Sequence, residues 1–387
     1  MKYRGLFPIG LFALLLLGGC VAESDVTPPG RPPAGAPLEI EAEAVLSVGV
    51  LSGDTLQEFD RVRTPFVFPD GRLVVPLGGS RDIRVFAPDG GFVERLGGEG
   101  DGPGEFRYLS AAWPRGDTIE AFDSSLRRIT RFLPDGTVEV VSITSASRPD
   151  VSFPGGPLGS GWALGGVSGA FDDGRDRIVF HHFDRSGGDL GALDSIGGMA
   201  RHFAAGSSGP EPMSPRAVAA TDGTRLYLGD TEVPSIRSVR GPEVPDGEIA
   251  WEPAESVSAE TALDEVIEEA MSRTAADRGF FTPERLAAAP VPDQLSVFWD
   301  FLLDPEGFLW IQPYEPLAHA LALGARYGGG VGNGGLWWVY TEDGRQAGSI
   351  EVPEGLELTR ITRTSVVGIR RDALGVESVH VHRVRRN

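Results

Sequence analysis

The sequence predicts an all-β fold: a six-bladed β-propeller of four-stranded blades, closed by an N-terminal strand on the last blade and carrying a small helical insertion. Three observations predict it. Turn signals recur between apolar runs, at Pro69-Asp70-Gly71, Pro88-Asp89-Gly90, Pro134-Asp135-Gly136, Asp222-Gly223, Pro305-Glu306-Gly307 and Asp343-Gly344. Such pairs tolerate the positive φ of a hairpin corner. The runs between them are short and strand-like, with Phe66–Phe68, Leu73–Val75, Ile83–Phe86 and Phe92–Leu96 making a first quartet. The quartet then returns with a period of about 40–45 residues, the spacing of propeller blades.

The elements follow in order. Lys2 and Arg4 precede an apolar run from Leu6 to Leu17. That run is shorter than the roughly 20 residues a membrane-spanning helix needs, and it fits the core of a secretory signal. It ends Leu17-Gly18-Gly19-Cys20, which resembles the lipobox of bacterial lipoproteins. The expectation is a signal peptide over 1–19 and lipidation of Cys20. Cys20 is the only cysteine, so no internal disulfide competes for it. Val21 follows where an aspartate is absent, a pattern that in such lipoproteins implies the outer membrane. Residues 20–37 hold proline and glycine with little apolar bulk and read as a flexible tether.

The folded body is expected over 38–387. Six units are read at about 62–97, 107–143, 149–196, 214–251, 296–352 and from 356 onward. The sixth supplies only three strands, and Leu38–Val48 is free to complete it and remove two open edges. Residues 258–289 read as helical, because Leu263, Val266, Ile267, Ala270 and Met271 share one face. Thr261 with Asp264 is the expected capping box, and a second helix is expected after Thr282-Pro283-Glu284. A glycine-rich insertion, Gly324–Gly335, interrupts the fifth unit.

The stretch Leu96–Phe106, LGGEGDGPGEF, is glycine-rich but is no phosphate cradle: it lacks the lysine and the following helix of a P-loop. It is no calcium repeat either, for want of the aspartate and of tandem copies. It reads as a corner between two blades, with Phe106 wedged between them. Gly102-Pro103-Gly104-Glu105-Phe106, followed by Arg128, Phe132 and Gly136, resembles NHL-type repeats. Leu303-Asp304-Pro305-Glu306-Gly307-Phe308-Leu309-Trp310 and Val376-Glu377-Ser378-Val379-His380-Val381 resemble late blades of bacterial six-bladed, TolB-like propeller lipoproteins. The chain departs from that pattern at Gly155–Gly169 and at Pro76.

The chemistry is sparse. The chain holds 55 acids against 35 bases, which argues against nucleic acid and against charge-driven contact with anionic lipid. There is no Gly-x-Ser-x-Gly elbow. His380 and His382 alternate on one strand face, a pair zinc could use, but no third ligand is evident. Asp123, Asp230 and Asp300 lie at or near strand ends that could face the axis, and Trp299 sits beside Asp300. The resemblance implies that some six-bladed propellers, gluconolactonase-like enzymes and amidating lyases among them, hold a metal there. Aspartates at such positions otherwise accept turn hydrogen bonds. Of seven tryptophans, about five are expected to pack between blades. The leading expectation is a non-catalytic binding scaffold for a protein, peptide or glycan, with no cofactor and anchored to the membrane by lipid. The alternative is a calcium- or zinc-dependent hydrolase or lyase working in the central channel.

Overall fold

The computed structural model describes residues 38–144, 151–170, 174–204, 207–211, 213–241, 244–253, 257–272, 282–324, 334–372 and 374–386. The chain opens with β1 (Leu38–Val48) and then builds six antiparallel meanders. Blade 1 is β2 (Phe66–Val67), β3 (Leu73–Leu77), β4 (Asp82–Phe86) and β5 (Phe92–Gly97). Blade 2 is β6 (Leu109–Arg115), β7 (Thr118–Asp123), β8 (Arg128–Phe132) and β9 (Val138–Ser142). Blade 3 is β10 (Phe153–Leu158), β11 (Gly161–Ala170), β12 (Arg175–Phe183) and β13 (Asp189–Ala204), with a fifth strand, β14 (Ser207–Pro210). Blade 4 is β15 (Ala217–Thr221), β16 (Leu226–Asp230), β17 (Ser235–Gly241) and β18 (Val244–Ala250).

Helices α1 (Ala259–Ser272) and α2 (Pro283–Ala287) lead into blade 5. That blade is β19 (Phe298–Leu303), β20 (Leu309–Pro313), β21 (Gly335–Tyr340) and β22 (Gln346–Val352), with helix α3 (Pro316–Gly324) between its second and third strands. Blade 6 is β23 (Leu356–Ile361), β24 (Ser365–Arg371) and β25 (Glu377–Arg386), completed by β1 on its outer edge. The pairing runs from Leu38 opposite Arg386 to Val48 opposite Val379. The expected six blades and the expected closure are both present.

Packing follows the alternation of each strand. The second and third strands of blade 1 are buried on both faces, whereas its fourth strand is largely exposed. Apolar clusters therefore form between neighbouring blades. Phe66, Val74, Phe106, Leu109 and Ala121 join blades 1 and 2, and Val48, Val75, Phe86, Val367 and Val379 join blades 6 and 1. Trp113, Trp162, Trp251, Trp310 and Trp337 are buried, five of the seven tryptophans.

The glycine-rich stretch is a corner. Phe106 is fully buried, and its amide donates to the Gly98 carbonyl at 2.7 Å. Gly97 has φ +79°, and a Cβ there would strike the Phe106 ring and the Gly104 carbonyl. Arg128 pins the loop by donating to the carbonyls of Asp101, Gly102 and Glu105.

The helical insertion differs from expectation in two details. Ser258, not Thr261, caps α1: its hydroxyl accepts the Thr261 amide at 3.1 Å. That starts the helix three residues earlier than the Thr261–Asp264 pattern implies. Met271 is 49% exposed, while Ala262, Leu263, Val266 and Ala270 form the buried face. Thr282 caps α2 as expected, with Pro283 in its first turn. Helix α3 was not foreseen, and most of the glycine-rich insertion after it lies outside the described residues. Residues 1–37, with the expected signal, Cys20 and tether, also lie outside them.

Candidate functional site

The first strand of each blade is the innermost, and together these strands enclose an axial channel of about 810 Å³. Because strands alternate in direction, the connections between blades and those between second and third strands emerge on one face. Helices α1, α2 and α3 all belong to that face. They pack there through Met213, Leu263, Val266, Leu286, Leu295 and Ala320.

Beside this cap, at the channel mouth of blade 5, five side chains converge. Arg216, just before β15, donates from Nε and Nη2 to the Trp299 carbonyl at 3.0 and 2.8 Å. Its guanidinium also lies 4.0 Å from the centroid of the Trp299 ring and 3.2 Å from the Asp300 carboxylate. A guanidinium over an indole face gains from the ring quadrupole. His319 of α3 stacks on Trp299 with centroids 4.6 Å apart and planes 3° from parallel. Tyr314 closes the group, 5.6 Å from His319. The backbone of Arg216 is fixed independently, since its amide donates to Thr231 Oγ1 at 2.9 Å and that hydroxyl meets Ser296 Oγ at 3.0 Å.

The electrostatics of the group are set by burial. His319 is pulled down to a pKa of about 3, first by burial and then by the nearby Arg216 charge. It is therefore neutral at pH 7. Its Nδ1 accepts the Glu315 amide at 2.9 Å, which puts the proton of the neutral ring on Nε2. Asp300 is raised by burial, with Arg216 partly offsetting the rise. Protein atoms surround it on most sides, yet 36% of its side-chain surface stays open, on the channel side. Burial also raises Tyr314.

The four residues singled out from the sequence part company here. Trp299 and Asp300 belong to this group. Asp123 does not line the channel: it is fully buried and accepts the amides of Arg107, Tyr108 and Leu126 at 2.7, 3.1 and 2.8 Å. Asp230 pairs with Arg175 at 2.8 Å, and Arg175 also holds Glu232 at 2.9 Å. The three aspartates thus sit on blades 2, 4 and 5, each with its own partners. Among the described residues no cluster of three or more His, Cys, Asp or Glu could hold a metal ion.

His380 and His382 do share a face, with ring centroids 6.2 Å apart. They serve the closing strand: His382 Nδ1 lies 2.9 Å from the Glu41 carbonyl, and His380 Nε2 meets Ser378 Oγ at 2.9 Å and Ser47 Oγ at 3.5 Å.

Sequence reasoning missed Arg216, Tyr314 and His319. His319 sits in the apolar run Pro316–Gly324, where a lone polar ring was a signal. Arg216 had none, as one arginine among 34.

No protein-family model matches the chain, and no curated protein is found to be similar to it. Among solved structures it is similar to a Bacteroides fragilis protein described as exported, at 15% identity, TM-score 0.47, covering 92% of this chain and 96% of that one. It is similar to a DUF4221 family member from Bacteroides vulgatus, at 11% identity, TM-score 0.47, covering 90% and 99%. It is also similar to virginiamycin B lyase from Staphylococcus aureus, at 9% identity, TM-score 0.42, covering 90% and 99%.

Proposed function

We propose that the protein is an exported, lipid-anchored binding propeller of the cell envelope, and that it takes a peptide or glycan at the capped mouth of its axial channel. The observation that carries the binding reading is the Trp299 platform. A half-buried indole is held rigid by Arg216 at 4.0 Å and His319 at 4.6 Å, beside an 810 Å³ channel. Rigid aromatic faces with few fixed polar groups suit ligand recognition. His319 is neutral near pH 7 and its Nδ1 is already engaged by the Glu315 amide, so it serves the group by stacking on Trp299. Export and anchoring rest on the sequence alone: the apolar run Leu6–Leu17 and the lone Cys20 behind two glycines. NHL-like repeats and an outer-membrane address belong to the same reading.

The test uses the full-length chain in detergent. Intrinsic tryptophan fluorescence is titrated with peptide and oligosaccharide libraries, for wild type and for Trp299→Ala. A saturable change present in wild type and lost in the variant is expected; no response to any library member would sink the reading. In cells, Cys20→Ser should move the protein from the membrane pellet to the soluble fraction.

The metal-dependent hydrolase or lyase keeps one observation in its favour, the raised, channel-facing carboxyl of Asp300. Calorimetry with calcium and zinc decides it: a saturable site lost in Asp300→Ala would replace the binding reading.

A further inference from the structure

The charges lining the axial channel are unequally treated. Five carboxylates face it: Asp222, Asp300, Asp304, Glu342 and Glu357. Each is met from within the protein. Asp300 has Arg216 at 3.2 Å, Asp304 has Arg386 at 3.0 Å, Glu357 has Arg371 at 2.6 Å, and Glu342 has Arg225 at 3.6 Å. Asp222 accepts the amides of Thr224 and Arg225 and the Tyr227 hydroxyl.

Two arginines line the same channel, Arg63 and Arg360. Among the described residues neither has a carboxylate partner. Arg63 touches only neutral groups with its guanidinium, donating from Nη2 to the Tyr108 hydroxyl at 3.2 Å, with its Nε buried and unpartnered. Arg360 makes no side-chain hydrogen bond; its guanidinium rests 5.7 Å from the Phe66 ring, and its Nε is likewise buried without a partner. Burial lowers the pKa of Arg360 to about 10, so it stays cationic at neutral pH.

The two come from adjacent inner strands. Thr359 donates to the Pro65 carbonyl at 3.4 Å and ties blade 6 to the segment carrying Arg63 and Phe66. Gly78 leaves room for Arg63, because a Cβ there would fall against its guanidinium.

A buried donor left unpaired costs free energy. In a chain with 20 more acids than bases, partners for two arginines would be easy to supply. Their absence leaves two cations on the channel wall, although four of the five carboxylates there each have an arginine. We propose that Arg360 and Arg63 form an oxyanion-binding site in the axial channel, and that the ligand of this protein carries a carboxylate or phosphate that enters the channel to meet them. The planar guanidinium fork suits both anions, which can accept two parallel hydrogen bonds. The apolar part of such a ligand meets Trp113, Pro114, Pro154 and Pro157, which line the same cavity. This deepens the binding reading by naming the ligand's charge, but it depends on different residues.

The test is calorimetry on the full-length chain at low salt, with benzoate and inorganic phosphate as separate probes. At least one should bind saturably, and the tighter of the two identifies the anion the site prefers. Arg360→Gln should weaken that probe by about tenfold or more and Arg63→Gln by about threefold or more, losses in keeping with removing a charged partner from a desolvated site. Arg345→Gln, which removes an exposed arginine paired with Asp343 away from the channel lining, should bind it as wild type does, so the anion response is read on the two channel arginines and the library response on Trp299→Ala. If Arg360→Gln fails to fold, Arg63→Gln decides. Binding of neither probe, or wild-type affinity in the folded arginine variants, overturns the proposal.

Discussion

Blades 2 and 5 each bring an aspartate to the same face of the ring and use it in opposite ways. Asp123 is sealed and gives its carboxylate to three backbone amides. Asp300 opens on the channel and has one arginine and the amide of Phe301 at 2.8 Å. The surroundings explain the difference. Blade 2 is entered through a compact corner, and its unpaired amides at Arg107 and Tyr108 need an acceptor close by. Blade 5 is flanked by three helices that satisfy their own backbone and bury an apolar face against one another. Where the chain is minimal, polar side chains are consumed in holding it. Where the chain has been extended, side chains keep capacity for something else.

The severest way to break that comparison is to remove part of the minimal ring itself. Deleting residues 38–48 strips blade 6 of its outer strand and of the buried Leu38, Ile40 and Val48. Each such side chain contributes about 1.5–3 kcal/mol. A fall in melting temperature of about 10 °C or more is expected by calorimetry; an unchanged melt would mean that β1 is not structural.

A paired substitution sharpens the contrast directly. Asp123→Ala orphans three amide donors and should cost about 3 kcal/mol in denaturant unfolding. Asp300→Asn should cost about 1 kcal/mol or less, because its ion pair is partly open to water. Equal losses would remove the distinction between a holding and a functional aspartate.

Much of this was legible in the sequence and some was not, for physical reasons. Turn chemistry repeats because every blade needs the same hairpin corners, so Asp70, Asp89 and Asp135 announced the repeat. Each of them caps its turn by accepting the amide two residues on. The closing strand was visible as a shortage of one strand in the last unit. Phe106 was readable from the glycines that let it in. The mouth group was half readable. Trp299 and Asp300 stand out by residue type, but Arg216 lies on another blade, and nothing local marks a contact made across 83 positions of chain. Arg63 and Arg360 were hidden for the opposite reason: what distinguishes them is a missing partner, and sequence does not display absences in space.

The gentlest effect is a pH dependence that again separates the two regions. His319, under the helical cap, has its pKa lowered to about 3, and His380, beside the closing strand, to about 4. Both stay neutral in the folded protein while the unfolded chain takes up protons below about pH 6.5. Stability should therefore be full above that pH and fall as the solution is acidified. The His380 contribution stops changing near pH 4 and the His319 contribution near pH 3. His380→Gln should flatten the unfolding profile down to about pH 4, and His319→Gln should flatten it further, to about pH 3. Profiles identical to wild type would show that neither ring is desolvated as described.

The pairing of Leu38 with Arg386 has a bearing on how the molecule comes into being. Contacts between such distant positions are slow to form, since the intervening chain must be gathered first. The circle stays open until the final strand is available, so a polypeptide cut short anywhere along its length would present an unsealed edge. The join between first and last strands is thus the contact that seals the apolar surface of blade 6 from water.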